Sequence, residues 1–371
     1  MECLIAYCRA GFEGECAAEL QAQTTEQGLA GYARAKPGTG YVVFTLYEKG
    51  AAQQFTDRIS LLDLVFARQL FVSSGLLKDL PITDRVTPIA AALESQCEQF
   101  SEIWVETADT NESKALLTFC RKFSKPLRSM LEQRGKVDPG NATAPRAHVF
   151  FLSSVAAYPG ISSPSHSSPW FMGIPRLRCP ANAPSRATLK LEEAWQVFLT
   201  PKQRQERLQP GMQAVDLGAA PGGWTWQFVR RGIRVTAVDN GALAPSLMES
   251  GLVEHRQADA FRYAPRHFAD WMVCDMVEQP RRVAQLAAQW LAQGWCRQCI
   301  FNLKLPMKKR YHEVQICTAL MAETLSRAGI PYELSFKQLY HDREEVTGYL
   351  RRKDKRYQSK ALSPKKKTTV Q

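Results

Sequence analysis

Two patterns of apolar positions alternate along the C-terminal half of this chain. Short runs of apolar and β-branched residues are typical of buried strands, and segments whose apolar residues recur every three to four positions are typical of helices. Strands are predicted at 213–217, 233–238, 271–274, 299–303, 332–339 and 346–351, and helices at 189–199, 224–231, 281–293 and 311–328. This alternation predicts an α/β fold over residues 185–353, a doubly wound, Rossmann-like and mostly parallel sheet.

The N-terminal half mixes the same signals without regular alternation. Strand patterns occur at 4–8, 41–46, 101–106 and 147–153, and helical patterns at 13–27, 85–98 and 113–133. They predict an α+β subdomain over residues 1–75 and a second small α+β module over 76–157. The helix at 113–133 carries several lysines and arginines, which could lie along a phosphate backbone or simply face solvent.

Proline content separates the two halves. Residues 158–184 contain six prolines with serines and glycines between them, a composition that predicts no regular structure. We interpret the segment as an interdomain linker that lies on protein or nucleic acid, with a plain connector as the alternative. Residues 354–371 are predicted to be a basic, disordered tail.

Charge and cysteine usage narrow the functional class. The net charge of +12 favours polyanionic partners, either nucleic acid or an anionic membrane surface, although a merely soluble basic protein is also compatible. No apolar run approaches the roughly 18 residues of a spanning helix, and the N-terminus does not resemble a signal peptide. The single CxxC, Cys296 to Cys299, has no partner pair, so neither a zinc site nor a disulfide framework is predicted. We expect reduced thiols, no metal and a cytoplasmic protein.

A glycine-rich stretch at 214–226 predicts the ligand site. It reads as a buried strand, a tight turn at Gly218 to Gly223 stiffened by Pro221, and a helix start. Glycines allow the backbone to approach a ligand closely, and a helix start offers unpaired N–H groups to anionic or polar groups.

Four aspartates are expected at the carboxyl ends of the predicted strands, where open α/β sheets bind ligands. They are Asp216, which could also merely support the turn, Asp239, Asp259 and Asp275. The G-x-G-x-x-G fingerprint of nicotinamide dehydrogenases fails, because Asp216 stands where its first glycine should be.

The D-x-G-x-x-P-G-G form with a following acid resembles the cofactor loop of S-adenosylmethionine-dependent methyltransferases. The resemblance implies that Asp239 binds the cofactor ribose, Asp259 the adenine amino group, and the loop the methionine portion. Asp275 would lie near the sulfonium, and Thr188, or the backbone at Ala187, would complete the pocket. The loop residues concerned are Ala220, Pro221, Gly222 and Gly223. The chain lacks the N/D-P-P-Y motif of amino-methylating enzymes and the Pro-Cys motif of base-carbon enzymes.

Lys190, Asp275, Lys304 and Glu345 together resemble the Lys-Asp-Lys-Glu set of RrmJ/fibrillarin-type 2′-O-ribose methyltransferases. The segments 273–276, 301–311 and 339–346 are most similar to bacterial 23S rRNA cytidine 2′-O-methyltransferases of the RlmM type. For residues 76–157 this resemblance implies a THUMP-type RNA-binding domain.

A ribose 2′-hydroxyl is a poor nucleophile at neutral pH, so a base must take its proton. Lys304 is the candidate base, provided that partial burial and the neighbouring cation Lys190 lower its pKa. Asp275 would hold the lysine amine. Glu345 would position Lys190 or the ribose, with Glu344 and His341 as competitors for that place.

Basic residues outside this set predict an RNA surface that reads shape rather than sequence. They are Arg121, Lys122, Arg176, Arg178, Lys308, Lys309 and Arg310. The expected substrate is 23S rRNA, free or in a precursor particle, with no DNA or membrane partner and a monomer favoured. The alternatives are an RNA-binding ribosome-assembly factor with a non-catalytic methyltransferase scaffold, and 2′-O-methylation of another RNA.

Overall fold

The computed structural model describes residues 2–353, so the predicted basic tail lies outside the described residues. The N-terminal half contains seven strands and four helices. The strands are β1 (Cys3–Tyr7), β2 (Gly31–Ala35), β3 (Tyr41–Leu46), β4 (Gln69–Ser73), β5 (Glu102–Thr107), β6 (Arg146–Ser153) and β7 (Ala156–Ser162). The helices are α1 (Glu13–Glu26), α2 (Ala51–Arg58), α3 (Val86–Glu94) and α4 (Lys114–Gln133).

These strands form one sheet in the order β2-β3-β1-β4-β7-β6-β5, which continues across the expected boundary at residue 75. The two parts join where β4 and β7 pair antiparallel, with Val72 opposite Ile161. β7 runs to Ser162, so regular structure continues into the proline-rich segment. The pattern did not predict β2 or β7, because β2 is a partly exposed edge strand and β7 contains Pro159 and Gly160.

The C-terminal half is a second seven-stranded sheet with helices on it. Its strands are β8 (Gln213–Leu217), β9 (Arg234–Val238), β10 (Val253–Arg256), β11 (Ala269–Cys274), β12 (Cys296–Lys304), β13 (Tyr332–Lys337) and β14 (Glu345–Arg352). Its helices are α5 (Thr188–Phe198), α6 (Pro201–Arg207), α7 (Gly223–Val229), α8 (Pro245–Met248), α9 (Pro280–Ala292) and α10 (Arg310–Arg327).

The strand order is β10-β9-β8-β11-β12-β14-β13, and the first five strands in this order are parallel. β14 is antiparallel to both of its neighbours. The prediction of a doubly wound, mostly parallel methyltransferase-like sheet is therefore confirmed. Because β8 to β12 point the same way, the residues that follow them meet at one edge.

The two halves pack against each other through a shared apolar cluster and a buried lysine. The cluster includes Phe66 from the N-terminal half and Phe336 from β13. Lys337 Nζ donates to three carbonyl oxygens of the N-terminal half, those of Leu61 (2.8 Å), Leu64 (2.5 Å) and Ala67 (2.6 Å). Burial lowers the pKa of Lys337 to about 8. The segment 61–67 is thus held directly on the C-terminal half.

Within residues 2–353, no helix has both the length and the apolar character needed to cross a bilayer. All ten cysteines are free thiols, and the buried sulfurs of Cys296 and Cys299 lie 3.3 Å apart.

Candidate active site

The glycine loop connects β8 to α7 in the way that the sequence predicted. Gly222 has a φ of 109°, and a Cβ there would lie 2.1 Å from Leu247 Cδ1. A Cβ on Gly223 would lie 2.3 Å from Ser185 Oγ. The backbone of Gly222 therefore requires glycine, a Cβ at Gly223 would crowd Ser185, and the loop presents backbone rather than side chains.

Asp239 follows β9 and lies against this loop. Its carboxylate accepts hydrogen bonds from Ala220 N at 2.9 Å and from Gly241 N at 2.7 Å. Asp259 follows β10; its side chain is about half exposed, and Oδ1 accepts from Phe261 N at 2.8 Å. Two carboxylates are thus available at the expected edge of the sheet for the ribose and the adenine of a nucleoside.

The loop also has buried hydroxyls without partners. Ser185 Oγ and Thr188 Oγ1 make no hydrogen bond with any residue in the described range. Unpartnered buried hydroxyls are uncommon, and a polar ligand in the loop can satisfy them. Thr188 was predicted for this pocket, whereas Ser185 was missed. Together with the two carboxylates, these residues fit S-adenosylmethionine.

Asp216 supports the turn, one of the two roles considered for it. It is almost fully buried and accepts a hydrogen bond from Thr225 Oγ1 at 2.7 Å. Burial raises the pKa of Asp216 to about 7.

Lys190, Asp275, Lys304 and Glu345 come together in one cluster next to this loop. Lys304 Nζ lies 2.6 Å from Asp275 Oδ1 and is hydrogen-bonded to Glu345 Oε2. Lys190 Nζ lies 3.2 Å from Asp275 Oδ2 and 2.5 Å from Glu345 Oε1. Each lysine therefore contacts both carboxylates. The sheet register contributes to this arrangement, because Lys304 on β12 is the direct partner of Glu345 on β14.

The structure also distinguishes Glu345 from its two competitors. Glu344 pairs with Arg310, with Oε2 2.6 Å from Nη2. His341 Nδ1 lies 2.6 Å from Glu193 Oε2. Only Glu345, of these three, contacts the lysines.

Behind the cluster lies a buried polar layer to which sequence reasoning assigned no role. Asn302 Nδ2 donates to Asp275 Oδ1 at 2.9 Å, and Thr347 Oγ1 donates to Asn302 Oδ1 at 2.7 Å. Burial raises the pKa of Asp342 well above its ordinary value, so this carboxyl can donate a hydrogen bond to the Thr347 hydroxyl. The layer fixes the orientation of Asp275. Its one sequence signal is that Asn302 lies two residues before Lys304 on the same strand.

The pKa of Lys304 differs from the expectation. Burial pulls it down, but the attraction of Asp275 and Glu345 is stronger and raises it above its ordinary value. Burial alone would raise the pKa of Asp275, but the positive charges of Lys304 and Lys190 hold it below its ordinary value. A lowered pKa was expected from burial and the second cation alone. The two adjacent carboxylates outweigh both, so that expectation is wrong for the protein without ligands. Without ligands, Lys304 is an ammonium.

The predicted RNA-contacting residues fall into two groups. Six are exposed: Arg121, Lys122, Arg176, Arg178, Lys308 and Lys309. Arg310 differs, with a side chain only 13% exposed. Besides Glu344 it contacts Gly11 O at 3.3 Å, and its guanidinium carbon lies 4.3 Å from the centre of the Phe12 ring. Arg310 therefore joins the two halves of the chain instead of extending a basic surface.

A cavity of about 1060 Å³ opens beside the cluster, and the N-terminal half forms one of its walls. Lys190, Lys304 and Glu345 line it on the catalytic side, and Arg9 and Arg68 line it from the N-terminal side. Neither arginine was predicted as a site residue, because nothing in their sequence surroundings relates them to a site more than 100 residues away.

Three family models match the chain in succession. They are the RlmM ferredoxin-like domain at residues 1–71, the N-terminal model of ribosomal RNA large subunit methyltransferase M at 84–163, and the FtsJ-like methyltransferase at 183–324.

Curated relatives match almost end to end. The chain is 52% identical over 347 residues to ribosomal RNA large subunit methyltransferase M of Methylococcus capsulatus, covering 94% of this chain and 97% of that protein. A Pectobacterium carotovorum protein of the same name is 52% identical over 355 residues, covering 95% and 97%. Among solved structures, TrmN from Thermus thermophilus aligns over 95% of this chain and 100% of that one, with 15% identity. Its TM-score of 0.37 is too low to carry an argument.

Proposed function

The chain belongs to the ribosomal RNA large subunit methyltransferase M family, and from this premise we propose that it methylates the 2′-hydroxyl of a cytidine in 23S rRNA. Its cofactor is S-adenosyl-L-methionine, which supplies a methyl group already activated on a sulfonium. The observation that carries the ribose assignment is the cluster of two lysines and two carboxylates beside the cofactor loop.

The cofactor residues proposed from the sequence keep their roles. Asp239 would hold the cofactor ribose, Asp259 the adenine amino group, and the loop 220–223 the methionine portion, with Thr188 closing the pocket. Ser185, which the sequence did not suggest, is added here because its buried hydroxyl has no partner in the described range. Asp239 is already oriented by two backbone N–H groups, so little ordering remains for binding.

Lys304 is the proposed general base. It accepts the 2′-hydroxyl proton on Nζ while the ribose oxygen takes the methyl group, so it must be neutral when the reaction begins. Its two carboxylate contacts favour the ammonium form of Lys304. Positive charge next to Lys304 when the ligands are bound favours the neutral amine instead. Lys190 is held between the same two carboxylates, where it reduces their pull on Lys304 and can orient the hydroxyl.

A ribosome-assembly factor with a non-catalytic scaffold is the main alternative. Two lysines and two acids in a partly buried site are costly to desolvate, and a scaffold gains nothing from them. Asn302 and Thr347 add a buried layer that serves only to orient Asp275. This arrangement favours an enzyme.

The proposed partner is 23S rRNA, free or in a precursor particle, bound by a monomer, with no role for DNA or a membrane. Residues 76–157 are proposed to act as a THUMP-type RNA-binding domain. The exposed Arg121 and Lys122 on α4 support this proposal, because they make no ion pair within the described part of the chain.

The direct test is transfer of labelled methyl to rRNA from a strain that lacks this protein, followed by mapping of the ribose methyl. We expect one labelled 2′-O-methylcytidine in 23S rRNA. Label on a base, or on another RNA only, would refute the assignment.

Replacement of Lys304 by alanine tests the chemistry. Loss of a general base typically costs about 10²–10⁴-fold in rate, and the cofactor loop does not depend on this side chain. Single-turnover transfer should therefore fall by that factor, whereas cofactor affinity measured by calorimetry stays within about twofold of wild type. Retained turnover would exclude the lysine-base mechanism.

A further inference from the structure

We propose that Arg68, together with Arg9, forms a subsite for an RNA backbone phosphate within the active-site cavity. The inference rests on the proposed function in one respect, namely that the substrate is RNA. It makes the N-terminal half part of the substrate site rather than only a separate RNA-binding domain.

Arg68 is held firmly in place at the start of β4. Its backbone N–H donates to Tyr7 O at 2.7 Å, and the carbonyl of the preceding Ala67 accepts from Lys337 Nζ at 2.6 Å. A Cβ on Gly173 would lie 2.5 Å from Arg68 O, so the proline-rich segment passes directly over this backbone. The backbone from which the guanidinium extends is therefore fixed before any ligand binds.

The guanidinium itself lacks polar partners. Arg68 is only 7% exposed, and its Nε and Nη2 make no hydrogen bond in residues 2–353. Its one evident contact is the ring of Tyr340, whose centre lies 5.5 Å from Cζ. A buried cation without hydrogen-bond acceptors is unfavourable, so a ligand that supplies the missing acceptors gains affinity from it.

Glu193 and Asp109 attract the Arg68 charge through space, but neither accepts a hydrogen bond from its Nε or Nη2. Glu193 accepts from Tyr340 N at 2.7 Å and from His341 N at 2.9 Å, so it is occupied by the cavity loop. Asp109 lines the cavity, and among the described residues it accepts no hydrogen bond from Arg68 Nε or Nη2. Within residues 2–353, no atom accepts a hydrogen bond from Arg68 Nε or Nη2, so solvent or a ligand has to supply the acceptor.

Six cationic and four acidic residues line the cavity, and two of the acids are already paired, Glu344 with Arg310 and Glu345 with the two lysines. Arg9 Nη1 donates to Tyr340 O at 3.2 Å, and Arg186 and Arg343 also line the cavity. Guanidinium groups match phosphate oxygens in geometry. In RNA, the ribose carbon that bears the 2′-hydroxyl is bonded to the carbon that bears the 3′-phosphate. A ribose presented to Lys304 therefore brings a phosphate into the same cavity, which at about 1060 Å³ is large enough for a nucleotide.

Arg68→Met tests the subsite, because methionine keeps the unbranched apolar stem and removes the charge. Affinity for a 23S rRNA transcript should fall about tenfold or more, as expected for lost hydrogen bonds to a charged group. The slope of log affinity against log salt should become shallower by about 0.7–0.9, the value for one phosphate contact. The affinity for S-adenosylmethionine should not change.

Arg34→Met is the matched control. Arg34 also lies over a tyrosine ring, 5.3 Å from Tyr32, and is exposed on the edge strand β2, away from the cavity. Both substitutions remove one positive charge. An equal change of the salt slope in Arg34→Met and Arg68→Met would therefore overturn the proposal.

The stability of the free protein separates binding from structure. Removing an unpartnered buried charge should leave the urea midpoint unchanged or raise it. A lower midpoint, or an unchanged salt slope, would give Arg68 a structural role and overturn the subsite.

Methyl transfer by wild-type protein is measured in parallel. If wild-type protein binds rRNA but transfers no methyl, the proposed function fails, while the effect of Arg68→Met on the salt slope still decides the subsite.

Discussion

Glu345→Gln should shift the pH dependence of methyl transfer to lower pH. The substitution preserves the size of the side chain and its capacity to bond to Lys304 and Lys190, but it removes one of the two negative charges that hold Lys304 protonated. The base must be neutral to accept the 2′-hydroxyl proton, so the fraction of active enzyme follows the pKa of Lys304.

The size of the shift can be worked out from the contacts. An opposite charge within about 4–6 Å typically moves a pKa by about 1–3 units. Glu345 contacts Lys304 directly and is only 6% exposed, so solvent screens the pair weakly. Removing the charge should lower the pKa by about 1–3 units, equivalent to about 1.4–4 kcal/mol. Below both midpoints, the neutral fraction of Lys304 then increases about 10–1000-fold.

The assay is single-turnover transfer at saturating rRNA and cofactor, between about pH 6 and 9.5. Both rates should still be rising at the alkaline end, because the pKa of Lys304 starts above its ordinary value, and the profile of the variant should lie at lower pH than that of the wild type. Glu344→Gln is the matched control, because the neighbouring carboxylate pairs with Arg310 instead of a lysine. An unchanged midpoint in Glu345→Gln, or a shift to higher pH, would refute the argument that Lys304 is the titrating base.

Three further outcomes follow from the structure. Asp239→Ala should weaken cofactor binding about 10–100-fold by calorimetry, because a charged acceptor for ribose hydroxyls is lost; unchanged affinity would remove Asp239 from the site. Charge reversal at Arg121 and Lys122 should reduce rRNA affinity most at low salt, whereas reversal of the exposed Lys202 should not; equal effects would make α4 only a solvated face. Asp216→Asn should stabilise the free protein at pH 8 but not at pH 3.5. The raised pKa of Asp216, about 7, makes the protonated acid the favoured buried form, and that stability is lost as pH rises from about 3.8 through 7. The gain at pH 8 should reach up to about 4 kcal/mol by urea unfolding, and its absence would show that Asp216 tolerates its charge.

Much of the site could be found from sequence because the chemistry lies at the ends of strongly patterned strands. Asp239 and Asp275 follow the short, mostly apolar strands β9 and β11, and Lys304 ends β12. Lys190 and Glu345 required the family resemblance, because helices and loops carry charges for many reasons. Sequence pattern could not choose among Glu345, Glu344 and His341, which lie within five positions of one another.

The sequence alone determined the alternation of strands and helices, the loop at Gly218 to Gly223, and the candidate acids and lysines. These properties are local, since hydrophobic period and glycine placement act over a few neighbouring residues. The protonation state of Lys304 was decided only in three dimensions, where register placed Glu345 opposite it and the β11 end placed Asp275 beside it. The position of Arg68 in the catalytic cavity was decided in the same way, by packing the segment 61–67 on Lys337. Electrostatics depends on distance through space and on burial, and neither quantity can be obtained from spacing along the chain.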